Sequence, residues 1–228
     1  MADDSLRDLD VEALNDRLAV EHPIDEYYAR SPWPIRFVER RRLSIIRDFV
    51  GDLSGLEVAE VGSGGGHVLR MFPEAKLTAI DVSGVYLDLA RRNLLGYDAR
   101  FLKGELDELA LPAGSFDRVI CTEVLEHVVD PGGLLAGIAR ILRTPGTAVI
   151  TVPNDPLIHR LKGVARRPPA RWLVGRRIEW GGDTYHLHAW TPKEFEQVLE
   201  EHFEVTERRF APERGLPLRA CFKCIARA

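Results

Sequence analysis

Cysteine is scarce in this sequence, with three residues among 228. An odd number without a framework spacing excludes a small disulfide-stapled fold and is typical of a reducing compartment. Cys221 and Cys224 match the C-x-x-C spacing, but residues three apart on a strand point to opposite faces. We therefore expect neither a zinc site nor a redox pair there, and we predict a cytoplasmic protein.

Long apolar runs and a large net charge are also missing. No stretch reaches the roughly 18 apolar residues that a membrane span needs. The acidic start, MADDSLRDLD, lacks the apolar region of a signal peptide. The net charge of −4 gives no support to a general polyanion-binding role. Because 45% of the residues are hydrophobic, the chain can bury one large core, and one principal domain is expected.

Glycine, by contrast, is concentrated in residues 56–69, which read LEVAEVGSGGGHVL. An apolar strand runs into four glycines and then into a helical pattern. Glycine is needed where the backbone takes φ > 0, or where a ligand comes so close that a Cβ would collide with it. Such a loop would present a ligand at the carboxyl edge of a parallel sheet and at the N-terminus of the next helix. Taken alone, it could also be a turn without a ligand.

Two details of this loop distinguish between nucleotide-type cofactors. A dinucleotide fingerprint has glycine at its sixth place, but that place counted from Gly62 is His67, which would crowd the helix–strand contact. The glycines fall instead at Gly62, Gly64 and Gly66, after the acid Glu60. A carboxylate in this position would attract an ammonium group and repel a pyrophosphate. The loop therefore favours a ligand with an ammonium group over NAD.

A second acid lies at the distance expected for a ribose contact. Asp81 ends a predicted strand, residues 76–81, and stands 19 positions after Gly62. Within a βαβ unit of about 30 residues, this spacing places a carboxylate beside the ribose hydroxyls. A lone acid at a strand end can also cap the next helix, although Ser83 is a candidate for that cap. The combination with the glycine loop favours the ribose.

The segment that follows the predicted strand 116–121 carries the candidate chemistry. Residues 122–131 read TEVLEHVVDP and leave the carboxyl end of that strand. On a helix, Glu123, Glu126 and His127 would share one face, which could hold a divalent metal ion or position His127 as an acid–base group. They could instead be a helix start whose acids complement the helix dipole.

From residue 57 to residue 154 the sequence resembles the class I S-adenosylmethionine-dependent methyltransferases. The resemblance rests on the E-x-G-x-G-x-G loop, on Asp81, on the R-x-L-x-x-P-G turn and on the VPN ending. The string EVLEHV is similar to that of the ubiquinone-pathway O-methyltransferases. The resemblance implies an α/β fold, a Rossmann-like three-layer sandwich. Its seven-stranded, mostly parallel sheet would have the order 3-2-1-4-5-7-6.

The same resemblance implies a set of site residues. The cofactor would be S-adenosylmethionine, with its methionine end on the glycine loop, its ribose on Asp81 and its adenine on Glu105 and the Leu106 amide. A divalent metal ion is implied at Glu123, Glu126 and His127, although relatives without a metal share the string. The expected cofactor-binding residues are Glu60, Gly62, Ser63, Gly64, Gly66, Asp81, Val82, Glu105, Leu106 and Thr122.

Two segments lie outside this core. Residues 1–50 are predicted to form an N-terminal helical arm and lid segment, and residues 51–228 the methyltransferase domain with an inserted lid, residues 155–190, after strand five. Aromatics alternate with prolines in residues 27–34, so no regular helix is expected there. The helix that follows, residues 38–50, should leave its run of three arginines, Arg40 to Arg42, mainly exposed.

The insertion has an unusual composition. Residues 159–180 carry seven basic side chains and one acidic side chain, which gives a local charge of +6, and two tryptophans. This pattern fits an anionic membrane surface, a phosphate-bearing substrate or a solvated lid. It contains no recognisable nucleic-acid-binding module, so we expect no nucleic-acid partner. Further on, His186 and His188 would lie on one side of an extended segment, as substrate contacts or as a general base.

We therefore predict methyl transfer to a small-molecule acceptor, more readily at oxygen than at nitrogen. The candidate catalytic residues are His127, Glu123, Glu126, His186 and His188. The acceptor could be lipid-linked at the inner face of a membrane, or it could be a soluble sugar or secondary metabolite. A non-catalytic cofactor-binding regulator and an oxidoreductase are the alternatives from other classes. The sequence does not indicate an oligomeric state.

Overall fold

The computed structural model describes Asp16 and residues 31–165 and 186–227, in which helices and strands alternate. The strands are β1 (Glu57–Val61), β2 (Lys76–Asp81), β3 (Ala99–Lys103), β4 (Phe116–Thr122), β5 (Leu142–Pro153), β6 (Phe203–Glu213) and β7 (Leu216–Ala226). The α-helices are α1 (Trp33–Val50), α2 (Gly84–Asn93), α3 (Pro131–Ile141), α4 (Asp155–Ala165) and α5 (Pro192–Leu199). No helix in the described ranges is both long enough and apolar enough to cross a membrane.

The seven strands form one sheet with the order β3-β2-β1-β4-β5-β7-β6. Strands β1 to β5 pair in parallel, and β7 runs antiparallel to both β5 and β6. The predicted α/β class and strand order are confirmed. Parallel neighbours end on the same side of a sheet, so the loops that follow β1, β2, β4 and β5 meet at one edge, here called the carboxyl edge.

Alternate residues of the central strands pack into two cores, one on each face of the sheet. Val119 lies in the core that contains α3 and α5, whereas its neighbour Ile120 lies in the core that contains α1 and α2. Cys221 and Cys224 of β7 are likewise divided between the two cores. Helices on both faces give the three layers, and the two cysteines face apart as expected.

The cap expected at Ser83 is confirmed, since its hydroxyl accepts a hydrogen bond from the Tyr86 amide at the start of α2. Thr191 and Glu194 form a capping box at the start of α5. The prediction of an α-helix directly after the glycine loop is wrong, since this position holds a single 3-10 turn, Leu69–Met71. Pro73 follows closely and leaves no room for an α-helix.

Helix α1 corrects two expectations. It begins at Trp33, inside the stretch where no helix was expected, because Pro34 lies in the first turn, where its missing N–H costs no helical hydrogen bond. Arg42, expected to be exposed, is only 4% exposed. Its Nε lies 2.9 Å from Glu39 Oε2, and the other oxygen of Glu39 lies 3.6 Å from Arg219 of β7. This buried ionic group joins α1 to the sheet.

Replacement of Glu39 by alanine should destabilise the protein by about 3–5 kcal/mol, because removing one partner of a buried ion pair leaves the other charge poorly compensated. The matched control is Asp48→Ala on the same helix. Asp48 pairs with Arg209 at 2.9 Å on the surface, and such pairs contribute about 0.2–1 kcal/mol. Urea unfolding measures both losses, and equal losses in the two variants would contradict a structural role for the buried group.

Candidate active site

The site is assembled from four segments at the carboxyl edge. Three of them are residues 62–68, 82–83 and 123–130, which follow the adjacent strands β1, β2 and β4. The fourth is residues 186–190, at the end of the insertion. It is attached by the amides of Leu187 and His188, which donate to the Glu126 carbonyl at 2.8 and 3.2 Å.

The glycine loop has the backbone conformation that favours glycine. Gly62, Gly64 and Gly66 have φ values of 72, 49 and 73°. A Cβ on Gly62 would also lie 2.3 Å from a methyl carbon of Val124. Gly62 is therefore required by space as well as by φ. The loop forms a cradle without side chains against which a ligand can lie closely.

Asp81 fixes the position of this loop. Its carboxylate accepts hydrogen bonds from the Gly64 amide at 2.8 Å and from the Ser83 amide at 2.9 Å, and burial raises its pKa. The cap of α2 is the Ser83 hydroxyl, which also contacts Asp16. Asp81 thus connects the loop to the end of β2, and its contact with a ribose stays a prediction.

Glu60 is a buried carboxylate beneath the loop. It is 2% exposed, and burial raises its pKa well above the ordinary value. The Leu69 amide and the Thr122 hydroxyl donate to it, but its Oε2 has no hydrogen-bond partner among the described residues. The buried Ser63 hydroxyl also has none there. Buried polar atoms without partners next to a glycine cradle fit the ammonium-bearing end of S-adenosylmethionine.

The residues predicted for the adenine lie at the end of β3. Gly104 has a φ of 140°, and its amide donates to the Asp81 carbonyl at 3.1 Å. The Glu105 side chain is exposed, whereas Leu106 is 5% exposed and packs in the core. Val82 is partly buried beside Asp81. Their contacts with adenine remain predictions.

Glu123, Glu126 and His127, the candidate residues after β4, do not lie on one face of an α-helix. The α-helix expected there is replaced by a 3-10 turn, Leu125–His127, and Glu123 precedes it with a φ of 56°. The Glu123 carboxylate accepts from the Thr151 hydroxyl at 2.9 Å and lies 2.7 Å from Arg219 Nε. The prediction of a shared face was wrong because Val124 packs against the glycine loop and ends the regular helical register.

His186, rather than Glu123, joins Glu126 and His127. One donor atom from each of these three side chains lies within 4.8 Å of the others. The two imidazole rings meet edge to face with centroids 4.8 Å apart. Glu126 is 1% exposed, and burial, together with the charges of Glu123 and Asp155, raises its pKa well above the ordinary value. Glu126, His127 and His186 could therefore hold an ion, whereas the metal set that the resemblance implies, with Glu123, stays a prediction.

The two histidines at the end of the insertion have separate surroundings. His186 Nδ1 lies 2.7 Å from Asp155 Oδ2, and Asp155, the first residue of α4, is 1% exposed. His188 Nε2 lies 3.0 Å from the Val128 carbonyl oxygen, and its ring stacks on Trp190. His188 therefore anchors the segment, and His186 faces the cluster. Sequence reasoning missed Asp155, although an acid directly after the VPN end of β5 could have indicated it.

The sequence matches one known protein family and several curated proteins. Residues 59–150 match the family described as a methyltransferase domain. The chain is 32% identical over 126 residues to the ubiquinone biosynthesis O-methyltransferase of Bordetella avium, which covers 53% of this chain and 52% of that protein. It is 30% identical over 146 residues to the protein of the same name from Sodalis glossinidius, covering 62% and 54%. The chain spans about half the length of the curated relatives it matches.

Solved structures share the fold over most of the chain. Magnesium protoporphyrin IX methyltransferase from Synechocystis, with S-adenosylhomocysteine bound, gives a TM-score of 0.66 at 14% identity and covers 94% of this chain and 99% of that chain. An S-adenosylmethionine-dependent methyltransferase from Mesorhizobium loti gives a TM-score of 0.64 at 21% identity and covers 81% and 97%. At such identities the likeness shows the fold alone.

The strand order, the glycine cradle and the match of residues 59–150 to a methyltransferase domain are features of class I S-adenosylmethionine-dependent methyltransferases, and they support S-adenosylmethionine as the cofactor. Within that class, ubiquinone biosynthesis O-methyltransferases are among the curated relatives of this chain.

Substitution of Glu60 by glutamine should raise stability and weaken cofactor binding. Because burial raises the pKa of Glu60, the wild-type protein loses stability as the pH rises from the ordinary value of 4.5 towards the raised pKa. The glutamine side chain is uncharged and avoids this loss. In urea the variant should therefore be more stable than the wild type at about pH 8, and the difference in stability should be smaller at about pH 5. Its affinity for S-adenosylmethionine should fall at least about tenfold, since a charged hydrogen bond contributes about 1.5–3 kcal/mol.

Glu57→Gln is the matched control, because Glu57 begins the same strand at the opposite edge and pairs with Lys76 at 3.3 Å. Calorimetry should give it wild-type affinity. Wild-type affinity in Glu60→Gln would show that this carboxylate does not bind the ammonium group.

Proposed function

We propose that this protein transfers the methyl group of S-adenosylmethionine to an oxygen atom of a small-molecule acceptor. The observation that carries the proposal is the cluster of Glu126, His127 and His186, because an acceptor hydroxyl must lose a proton close to the reacting methyl group. The cluster begins two residues after Val124, which packs against Gly62 of the cofactor loop. The O-methyltransferase names of the curated relatives support oxygen as the acceptor atom.

Methyl transfer of this kind is an in-line displacement. The new C–O bond forms as the C–S bond of the sulfonium breaks, and the bonding pair returns to sulfur. Since the sulfonium is already an activated leaving group, the protein mainly aligns the acceptor and removes its proton. His127 and His186 supply the nitrogen lone pairs for this step, either by taking the proton or by holding a cation that makes the hydroxyl more acidic.

Replacement of His127 or His186 by alanine should lower methyl transfer by about 10²–10⁴-fold, the usual contribution of a positioned proton acceptor. Cofactor affinity should stay close to that of the wild type, because neither side chain lies in the glycine cradle. Transfer of a labelled methyl group to a panel of hydroxylated acceptors, with and without a prenyl chain, measures the first effect, and calorimetry measures the second.

His202→Ala is the control, because His202 lies in the turn between α5 and β6, outside the carboxyl edge. Product formation by the two site variants at the rate of His202→Ala would contradict the proposal. Tight cofactor binding without any product in the wild type would favour a non-catalytic regulator instead.

We also propose that the acceptor is lipid-linked and is reached from the cytoplasm at an anionic membrane surface. Residues 159–180 are strongly basic, and those from 166 onwards lie outside the described residues. In the described part, α4 exposes Arg160 together with 37% of Leu161 and 60% of Val164. Asp155 at the start of this helix contacts His186, so the helix begins at the site. Basic and apolar groups in this combination suit an interface with anionic headgroups.

The double substitution Leu161→Glu and Val164→Glu should weaken flotation with anionic vesicles at least about tenfold, because it removes apolar contacts and adds two charges that the headgroups repel. Leu95→Glu is the control, since Leu95 is 85% exposed and precedes β3 at the opposite edge of the sheet. Equal flotation of all variants, or turnover of a soluble acceptor without lipid, would favour a soluble acceptor.

A further inference from the structure

The side chains of Glu126, His127 and His186 form a compact group of ligand-type atoms. Their donor atoms lie within 4.8 Å of one another. Donors around one tetrahedral ion at about 2.0–2.2 Å stand about 3.3–3.6 Å apart, so side-chain shifts of about an ångström would bring these three atoms into range. We propose that these three residues bind a single divalent transition-metal ion, and that Asp155 supports His186 from the outer side. The inference deepens the proposed function and rests on it for the use of the ion.

Burial of Glu126 provides the electrostatic reason for a cation. Its side chain is 1% exposed, and Oε2 has no hydrogen-bond partner among the described residues. A buried carboxylate is costly unless it is paired with a positive charge or coordinates a metal. Arg219, the nearby cation of β7, lies 2.7 Å from Glu123, and its charge offsets the burial of Glu126 only in part. An ion between the imidazoles would compensate Glu126 directly.

Asp155 gives His186 the geometry of a metal ligand. The 2.7 Å contact with Asp155 Oδ2 holds a proton on Nδ1, so Nε2 carries the lone pair and is the nitrogen available to the cluster. A carboxylate behind the second nitrogen is the usual partner of a metal-binding histidine, where it fixes the tautomer and raises the basicity of the ligand. Asp155 is itself 1% exposed, which suits a fixed supporting group.

This ligand set differs from the one that the resemblance implies, because Glu123 is outside it. Glu123 receives a hydrogen bond from Thr151 and pairs with Arg219, and its charge acts on Glu126 from outside the group of three donor atoms. Replacing that carboxylate by His186 gives two nitrogens and one oxygen. Such a set suits Zn²⁺, Co²⁺, Fe²⁺ or Mn²⁺ rather than Mg²⁺, which prefers oxygen ligands. When bound, an ion of this kind would act as a Lewis acid towards an acceptor hydroxyl.

Titration of the chelator-treated protein with Co²⁺, followed by its visible absorption, tests the site without any acceptor. The wild type should bind one equivalent, which Zn²⁺ displaces and Mg²⁺ does not. His186→Asn should weaken Co²⁺ binding more than about 100-fold, and Asp155→Asn about 10–100-fold, the usual effect of losing a supporting carboxylate. Glu123→Gln should change the affinity by less than about threefold, because no ligand is lost.

Calorimetry with S-adenosylhomocysteine accompanies each titration and shows that every variant keeps a folded cofactor site. Absence of Co²⁺ and Zn²⁺ binding in a wild-type protein that binds S-adenosylhomocysteine would overturn the metal site and leave the proposed function standing. Loss of Co²⁺ in Glu123→Gln with retention in His186→Asn would overturn the ligand set. Co²⁺ binding with the expected variant order, in a protein that methylates no acceptor, would support the site and contradict only the proposed function.

Discussion

The two hydrogen bonds accepted by the Asp81 carboxylate are the interaction on which the rest of the site depends. A loop with three glycines at positive φ has many conformations in the unfolded chain, and its ordering is entropically costly. The Gly64 and Ser83 amides are held by one carboxylate at the end of β2, and the Gly62 amide donates to the Ile80 carbonyl at 2.9 Å. The sheet therefore preorganises the cradle before any ligand arrives, so the ligand does not have to order it.

The carboxyl edge concentrates buried negative charge. Glu60, Asp81, Glu126 and Asp155 are 2, 8, 1 and 1% exposed. The described arginines nearby, Arg42 and Arg219, form their ion pairs with Glu39 and Glu123, and their charges offset the burial of Glu60 and Glu126 only in part. Such an arrangement reduces the stability of the ligand-free protein and favours positively charged ligands. S-adenosylmethionine carries an ammonium and a sulfonium, so the charge of the cofactor suits this edge.

The sequence predicts the features that depend on local pattern, and it fails where distant residues decide. The bounds of β2 were predicted to the residue, because this strand is a short apolar run between turn signals. The burial of Arg42 could not be read from a run of three arginines, since it depends on Glu39 and on Arg219, which is far away in the sequence. The pair of Asp155 and His186 spans 31 residues and has no local signature.

The prediction that Glu123, Glu126 and His127 lie on one helical face failed for a related reason. The spacing of Glu123, Glu126 and His127 suits an α-helix, and nothing in the string itself shows that the backbone leaves the helical register there. Close packing of Val124 over Gly62 decides this, and that contact joins two loops about 60 residues apart. The sequence motif suggests the ligand set Glu123, Glu126 and His127. In the structure Glu126 and His127 lie with His186 instead, and Val124, which stands between Glu123 and Glu126, packs on the cofactor loop.

Both ends of the insertion are attached to the same cluster. Asp155 begins the insertion and His186 stands near its end, yet their side chains lie 2.7 Å apart, and the amides after His186 donate to the Glu126 carbonyl. Once the ends of a loop are fixed, a change in its length costs little free energy, since each doubling adds only about 0.6 kcal/mol. The domain match ends at residue 150, five residues before the insertion begins.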